Sequence, residues 1–352
     1  MTKYSDTSQI LEFDYFSPVL FHKNSYRIEF HLNSVVTIPE IQKMTSKRTS
    51  TESTHLQDKR VLIYGCGYLG REIGRQLLLS HSEVWGTARS RESCKKIRNI
   101  GISPILSDWS DRRTLSNLDA FTHIVIAVSR GREEKRSHWE SLVIGLKTLL
   151  PYISAAENVV YISSTGVYHQ RDGLWVDENS PTFPNRPSTR AHLAAEDLLR
   201  RNRPNQPWNI LRLAGIYGPN RVPNCQNVLN NTPIKTSPNS YLNLIHVEDA
   251  AQAVTAAIEK ADQSKYVVSD DRPTKRADYY SFIAQYLKAS PPTFININDP
   301  STNHSRAEGN KRVWNRKMKN TLLPKLKYPT FEQGLPNLLK PFVTQSSAAN
   351  TR

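Results

Sequence analysis

The stretch VLIYGCGYLGREIG, Val61 to Gly74, constrains the fold more than any other. A run of branched apolar residues ends at Gly65, and Gly67 and Gly70 complete the spacing G-x-G-x-x-G at the start of an amphipathic run. The first glycine of such a motif permits a tight turn. The second lets an anionic group approach the backbone, and the third lets the following helix pack close to the strand. A pyrophosphate would then sit on the helix N-terminus, where N–H groups and the dipole favour negative charge. Gly65, Gly67, Tyr68, Leu69 and Gly70 are thereby candidate dinucleotide-binding residues. The spacing alone is a weak signal. A strand before it, a helix after it and a second strand beyond make it specific.

Apolar runs alternate with helical periodicity from Lys59 onward. RVLIYG, EVWGTAR, SPILSDW, HIVIAVS, NVVYISS, WNILRLAGIYG and KYVVSD read as strands. GREIGRQLLLS, RESCKKIRN, AHLAAEDLLRR, HVEDAAQAVTAAIEKA and RADYYSFIAQYLKA read as helices, as does a long run through HWESLVIGLKTLLPYIS. This order predicts an α/β fold, a doubly wound parallel sheet of Rossmann type. Residues 1–58 read as a partly disordered N-terminal extension, in which FDYFSPVLF and YRIEFHLNSVVTI are either strands or disordered and TSKRTSTEST is a linker. A disordered tail is expected over 344–352.

Composition narrows the function classes. No run of eighteen apolar residues is present, which argues against a membrane-spanning helix. The three cysteines, Cys66, Cys94 and Cys225, stand far apart without metal-ligand spacing, so a reducing compartment and no metal are expected. The early acids Asp6, Glu12 and Asp14 count against organelle targeting, and the cytoplasm is the expected location. A formal net charge of +15 raises a nucleic-acid reading. No RNA- or DNA-binding motif accompanies it, and a solvated surface or an anionic small-molecule ligand accounts for it better.

The end of the second strand selects the cofactor. NAD binders usually place an acid there for the ribose hydroxyls, whereas EVWGTARS ends in Arg89 with Arg91 beyond it. A guanidinium can grip a 2′-phosphate bidentately, so NADP is expected ahead of NAD.

Residues 60–340 resemble the extended short-chain dehydrogenase/reductase superfamily, the NAD(P)-dependent epimerase/dehydratase group. YGCGYLG, SDW, YISSTGVY, DENSP, LRLAGIYGPNR, LIHVEDAAQAV and NKRVWNRKMKNTLLPKLKYPTFEQGL carry the resemblance in order. It implies a Rossmann-type dinucleotide-binding domain over 59–215 and 243–268, a smaller C-terminal substrate lobe over 216–242 and 269–343, and an active site between the two. It implies that Asp108 contacts the adenine, and that Ala127 to Ser129 wall the nicotinamide ribose. Ser164 then stands at the family's catalytic Ser/Thr, with Thr165 a close substitute. Arg212 and IYGPNR would border the substrate cleft. Glu178, His246 and Asp249 read as structural.

Two departures stand out. Tyr64 occupies the position where many members begin their glycine motif. Counting back from Glu196, His192 stands at the family's lysine and Ser188 at its tyrosine. Two readings follow. One is an NAD(P)-dependent oxidoreductase or epimerase/dehydratase-like enzyme, monomer or homodimer, acting on a small polar, anionic or nucleotide-linked substrate. Its proton transfer would fall to Ser164, His192, Tyr168 or water. The alternative is a non-catalytic NADP-binding regulatory or scaffold protein, RNA-associated through its basic surface.

Overall fold

Strand β1 (Arg60–Tyr64) is buried from Val61 to Tyr64. An apolar run without alternation of this kind belongs to a strand covered on both faces. Its neighbours are β2 (Glu83–Ala88) and β4 (His123–Ile126), both parallel to it. With β3 (Ser103–Leu106), β5 (Asn158–Ser164), β6 (Trp208–Leu213) and β7 (Gln263–Val268) they form a seven-stranded parallel sheet of order β7-β6-β5-β4-β1-β2-β3. The computed structural model describes residues 59–349 except 117, 119, 132–134 and 296–308, with side chains through residue 343.

Helices cover both faces. Helix α1 (Tyr68–Leu79) turns Leu69, Ile73 and Leu77 inward at the four-residue spacing of one helix face. They meet small residues of α5 (Val247–Lys260), including Ala250, Ala253 and Ala257, in a core shared with Val61, Ile63 and Val125, to which α2 (Arg91–Arg98) adds Ile97. On the opposite face, Leu146, Leu149 and Ile153 join Ala195 and Leu199 of α4 (Pro187–Asn202) over Leu62, Ile124 and Tyr161. The smaller lobe has its own core of Tyr217, Val228, Tyr279, Ile283, Phe331 and Leu335.

The long helix expected through HWESLVIGLKTLLPYIS (α3) changes winding along its length. A π-helical turn, Glu140–Ile144, leads into an α-turn, Gly145–Leu149, and a 3₁₀ turn, Leu150–Ile153. The tail expected to be disordered from Thr344 needs correction, because the terminal helix Phe331–Ala349 runs through most of it. The chain divides into Met1–His55 and Leu56–Arg352, and every described residue lies in the second unit. The expectations for residues 1–58, including both strand-like stretches and the linker, lie outside the described residues. Among the described residues no helix is long and apolar enough to cross a membrane, and no cluster of ligand side chains is placed to hold a metal ion.

Candidate active site

The strand order reverses between β1 and β4, and in open parallel sheets ligands bind outside the carboxyl ends of the strands at such a point. A cavity of about 660 Å³ opens there. Its walls are the ends of β1 (Tyr64 to Gly67), β2 (Thr87 to Ser90), β3 (Ser107 to Trp109) and β4 (Ala127 to Gly131). A hollow of about 700 Å³ lies elsewhere, along α4 from Arg190 to Arg200, so size does not decide between them. The glycine turn and the sheet's switch point do.

Each glycine has a separate physical reason. Gly65 has φ +89°, and a Cβ there would lie 2.8 Å from the Val128 side chain. At Gly70 a Cβ would come within 3.0 Å of the Gly65 carbonyl oxygen and of Ile63. Gly67 differs, because a Cβ there would meet only the Gly65 oxygen at 4.0 Å. That space is open, which is what the approach of an anion to the turn requires. Thr87 anchors the turn from β2: its hydroxyl accepts from Gly65 N at 2.8 Å, and its carbonyl accepts from Cys66 N at 2.9 Å. Burial pushes the Cys66 thiol up to about 12, so the cavity offers no thiolate.

Tyr68 and Leu69 do not line this cavity with their side chains. Leu69 is part of the core under α1. Tyr68 reaches across to the IYGPNR loop, where its hydroxyl donates to the Pro219 carbonyl at 3.0 Å and its ring lies under Arg221. What these two residues can offer an anion is backbone N–H at the helix start.

Arg89 and Ser129 line the cavity as expected from the strand ends. Beside Arg89, Ser90 caps α2, its hydroxyl accepting from Ser93 N at 3.2 Å, and both serines face the same space. Asp108 also lines the cavity, but its carboxylate is engaged by Arg136, at 2.7 and 3.1 Å. That pairing holds its pKa down at about 2. An adenine edge would meet an Asp–Arg pair rather than a lone acid, a feature the sequence did not disclose.

Ser164, Thr165 and His192 lie outside the lining of this cavity. Ser164 ends β5, and its hydroxyl accepts from Gly166 N at 3.0 Å, capping a short 3₁₀ turn, Thr165–Val167. Thr165 is buried. His192 projects from α4 onto β5, where its Nδ1 stands 3.3 Å from the Tyr161 hydroxyl. Ser188 sits in the first turn of the same helix and is half-buried. The structure thus sets His192 against the strand that ends in Ser164.

Two residues linked above to the cleft or to proton transfer are committed elsewhere. Arg212 is 2% exposed and forms a buried ion pair with Glu196 at 2.6 Å; the pair lines the hollow along α4 and not the cavity at the switch point. It also donates to the Tyr168 hydroxyl at 2.6 Å, which removes Tyr168 as a free acid or base. Ser163 donates to Glu196 at 2.5 Å. Glu178 accepts from Val267 N at 2.7 Å, His246 caps α5, and Asp249 accepts from Lys327 N and Tyr328 N. These three are structural ties.

Residues 61–269 match the family described as the NAD dependent epimerase/dehydratase family. Protein YeeZ of Escherichia coli (strain K12) is 27% identical over 253 residues, which cover 68% of this chain and 88% of that protein. A functionally unknown conserved protein from Silicibacter pomeroyi DSS is similar in structure, with a TM-score of 0.67 and 29% identity over 80% of this chain and 98% of its own. UDP-glucose 4-epimerase from Thermotoga maritima, solved with UDP-glucose, has a TM-score of 0.69 at 16% identity, over 81% of this chain and 99% of its own.

Proposed function

The chain belongs to the NAD-dependent epimerase/dehydratase family of the extended short-chain dehydrogenases/reductases, and from that premise we propose that it is an NADP-dependent enzyme, an oxidoreductase or epimerase/dehydratase-like protein, acting on a small polar anion, free or nucleotide-linked. The observation that carries this reading is the cavity at the switch point, into which Gly67 alone of the three motif glycines leaves room for a substituent. Backbone N–H groups from Gly65 to Gly70 hold the pyrophosphate. Arg89, with Ser90 at the start of α2, takes the 2′-phosphate. Asp108 with Arg136 meets the adenine, and Ala127 to Ser129 back the nicotinamide ribose. When bound, the nicotinamide gives or takes a hydride.

The chain's own proton chemistry differs from the usual pair. Ser188 offers a hydroxyl too weakly acidic to act as the family's tyrosine does. Ser164, with Thr165 beside it, donates a hydrogen bond to the reacting oxygen of the substrate. His192, held against β5 through Tyr161, orients that strand end and moves the proton directly or through water. The same departure, Ser188 and His192 in place of tyrosine and lysine, favours the second reading, a non-catalytic NADP-binding module. Turnover separates the two. Full-length protein incubated with NADPH and a panel of carbonyl compounds and nucleotide sugars oxidises the cofactor if the enzyme reading holds. NADP binding with no turnover across the panel overturns it.

Two further results are expected. Arg89→Ala weakens NADP(H) binding by about 1.5–3 kcal/mol, the value of a charge-assisted contact, and leaves NAD(H) binding unchanged. Calorimetry with both cofactors checks this, and equal wild-type affinity for the two contradicts it. Ser164→Ala lowers kcat on the order of a hundredfold, as removal of one preorganised donor to a developing oxyanion does. His192→Ala lowers kcat if the imidazole moves the proton and leaves it unchanged if the ring only packs on β5. An unchanged rate in both variants places the chemistry elsewhere.

A further inference from the structure

The hollow of about 700 Å³ along α4 shares no lining residue with the cavity at the switch point. Its floor is the outer edge of the sheet. Lys265 of β7 pairs in register with Ile210 of β6, between the rows Gln263–Trp208 and Val267–Arg212. Residues two apart on a strand face the same side of a sheet, as do their partners in register. Helix α4 lies over that side: Glu196 engages Arg212 at 2.6 Å, and the Arg200 guanidinium lies 6.0 Å from the centre of the Trp208 ring. Lys265 is thereby set between the Glu196 and Arg200 levels of the helix. Both Lys265 and Arg200 line the hollow.

The charges of the hollow are unevenly committed. Glu196 is held by Arg212 and the Ser163 hydroxyl, Asp197 pairs with Arg201 at 2.7 Å, and Glu178 accepts from Val267 N. Among the described residues, no carboxylate forms an ion pair with Lys265 or Arg200. Lys265 is half-buried. Burial, with the positive charges of Arg212, Arg200 and Lys317, lowers its pKa against the opposing pull of Glu196. An ammonium partly withdrawn from water, with like charges around it and no acid in contact, is unfavourable until an anion joins it. The facing loop is fixed in place. Gln170 donates to the Pro181 carbonyl at 2.7 Å, Phe183 N donates to the Val167 carbonyl at 3.1 Å, and Asp177 accepts from Asn179 N and Ser180 N. Pro181 and Pro184 of this loop, with Leu193 and Ala194 of α4, give the hollow an apolar side.

We propose that this hollow is a second ligand site, which takes the phosphoryl group of a small organic phosphate between Lys265 and Arg200 and the ligand's apolar body along Leu193, Pro181 and Pro184. The site stands apart from the function proposed above, because it shares no residue with the cavity that carries that reading. Two cations with no acid between them call for two negative charges. A phosphoryl group brings about 1.5–2 at neutral pH, on three oxygens, whereas a carboxylate brings a single charge. Arg190 lies ten residues before Arg200, about 15 Å along the helix, and donates to the Asn185 carbonyl at 3.0 Å. It is out of reach of the same phosphoryl group. The volume suits a small molecule, since pockets for such ligands run from about 300 to 1,000 Å³.

The test uses full-length protein saturated with NADP⁺, which keeps phosphate probes out of the cavity at the switch point. Phenyl phosphate, benzoate, phenol and inorganic phosphate are titrated by calorimetry into wild type, Lys265→Met and Arg200→Gln. Phenyl phosphate is expected to bind more tightly than each of the other three, and each substitution weakens it about tenfold or more, as loss of a charge-assisted contact does. Arg200 is exposed, so Arg200→Gln reads the site even where Lys265→Met unsettles β7. NADP⁺ affinity stays constant across the variants, since neither residue lines that cavity. Benzoate, phenol or inorganic phosphate bound as tightly as phenyl phosphate overturns the proposal. So does a phenyl phosphate affinity unchanged in either folded variant. A chain that fails to bind NADP⁺ overturns the cofactor reading, and the same titrations on the free chain still decide this site by the same criterion.

Discussion

Gly67→Val is expected to abolish dinucleotide binding while leaving the protein folded. The two halves of this result have separate grounds. The neighbouring motif glycines cannot be replaced without disturbing the fold, because Cβ atoms at Gly65 and Gly70 would press on Val128, Ile63 and the Gly65 carbonyl. At Gly67 the added atom meets nothing closer than 4.0 Å, and the residue's φ is negative, at −82°. The isopropyl group therefore projects into the cavity rather than into the core. It occupies the place where a pyrophosphate must contact the start of α1. Calorimetry with NADP(H) should show no binding at concentrations that saturate the wild type, and the far-UV circular dichroism should match it. Wild-type affinity in the variant would move the dinucleotide away from this turn.

The inner strands β1, β4, β5 and β6 were legible because their burial is nearly uniform. A strand such as β1, apolar along its length and followed by a glycine turn, admits few alternatives. Helices α1 and α5 were legible because one of their faces is apolar at helical spacing. The smaller lobe was not readable in the same way. Pairings such as Tyr241–Leu242 with Thr274–Lys275 are two residues long and leave no periodicity. The π-helical turn at Glu140–Ile144 keeps the composition of an ordinary helix, so only backbone geometry reveals it. The helix past Thr344 was missed because TQSSAA has no apolar face of its own. It continues a helix anchored upstream by Phe331, Leu335 and Leu339.

The site divides along the same line. Residues of the cavity at the switch point lie at the carboxyl ends of neighbouring strands, so motif and topology together pointed to Gly65, Gly67, Arg89, Asp108 and Ser129, which line one cavity. Partners brought in by long-range folding stayed hidden. Arg136 engages Asp108 from the loop before α3. Arg212 was placed at the cleft by resemblance. Strand periodicity cannot distinguish an arginine facing a ligand from one facing a buried acid.

That buried acid supports the largest expected loss of stability. Glu196 is 3% exposed and accepts from Arg212 Nε and Nη2 and from the Ser163 hydroxyl. It thereby ties α4 to β5 and β6 at once. Glu196→Ala leaves the Arg212 guanidinium buried without its counter-ion, and breaking such a pair by removing one partner costs about 3–5 kcal/mol. Arg212 retains the Tyr168 hydroxyl as an acceptor and lies over the Tyr168 ring at 5.0 Å, but neither contact carries a full negative charge. Glu196→Leu combined with Arg212→Met removes both charges and should recover most of the loss, because no unpaired ion remains in the core. Urea unfolding of the single and double variants measures both effects. NADP affinity in the folded variants should be unchanged, since neither residue lines the cavity proposed for the dinucleotide. Ser163 is adjacent to Ser164, so any turnover should fall in Glu196→Ala through loosening of the β5 end. A single variant as stable as the wild type would mean that water reaches the pair, and that α4 is held on the sheet by its apolar contacts, Ala195 and Leu199, alone.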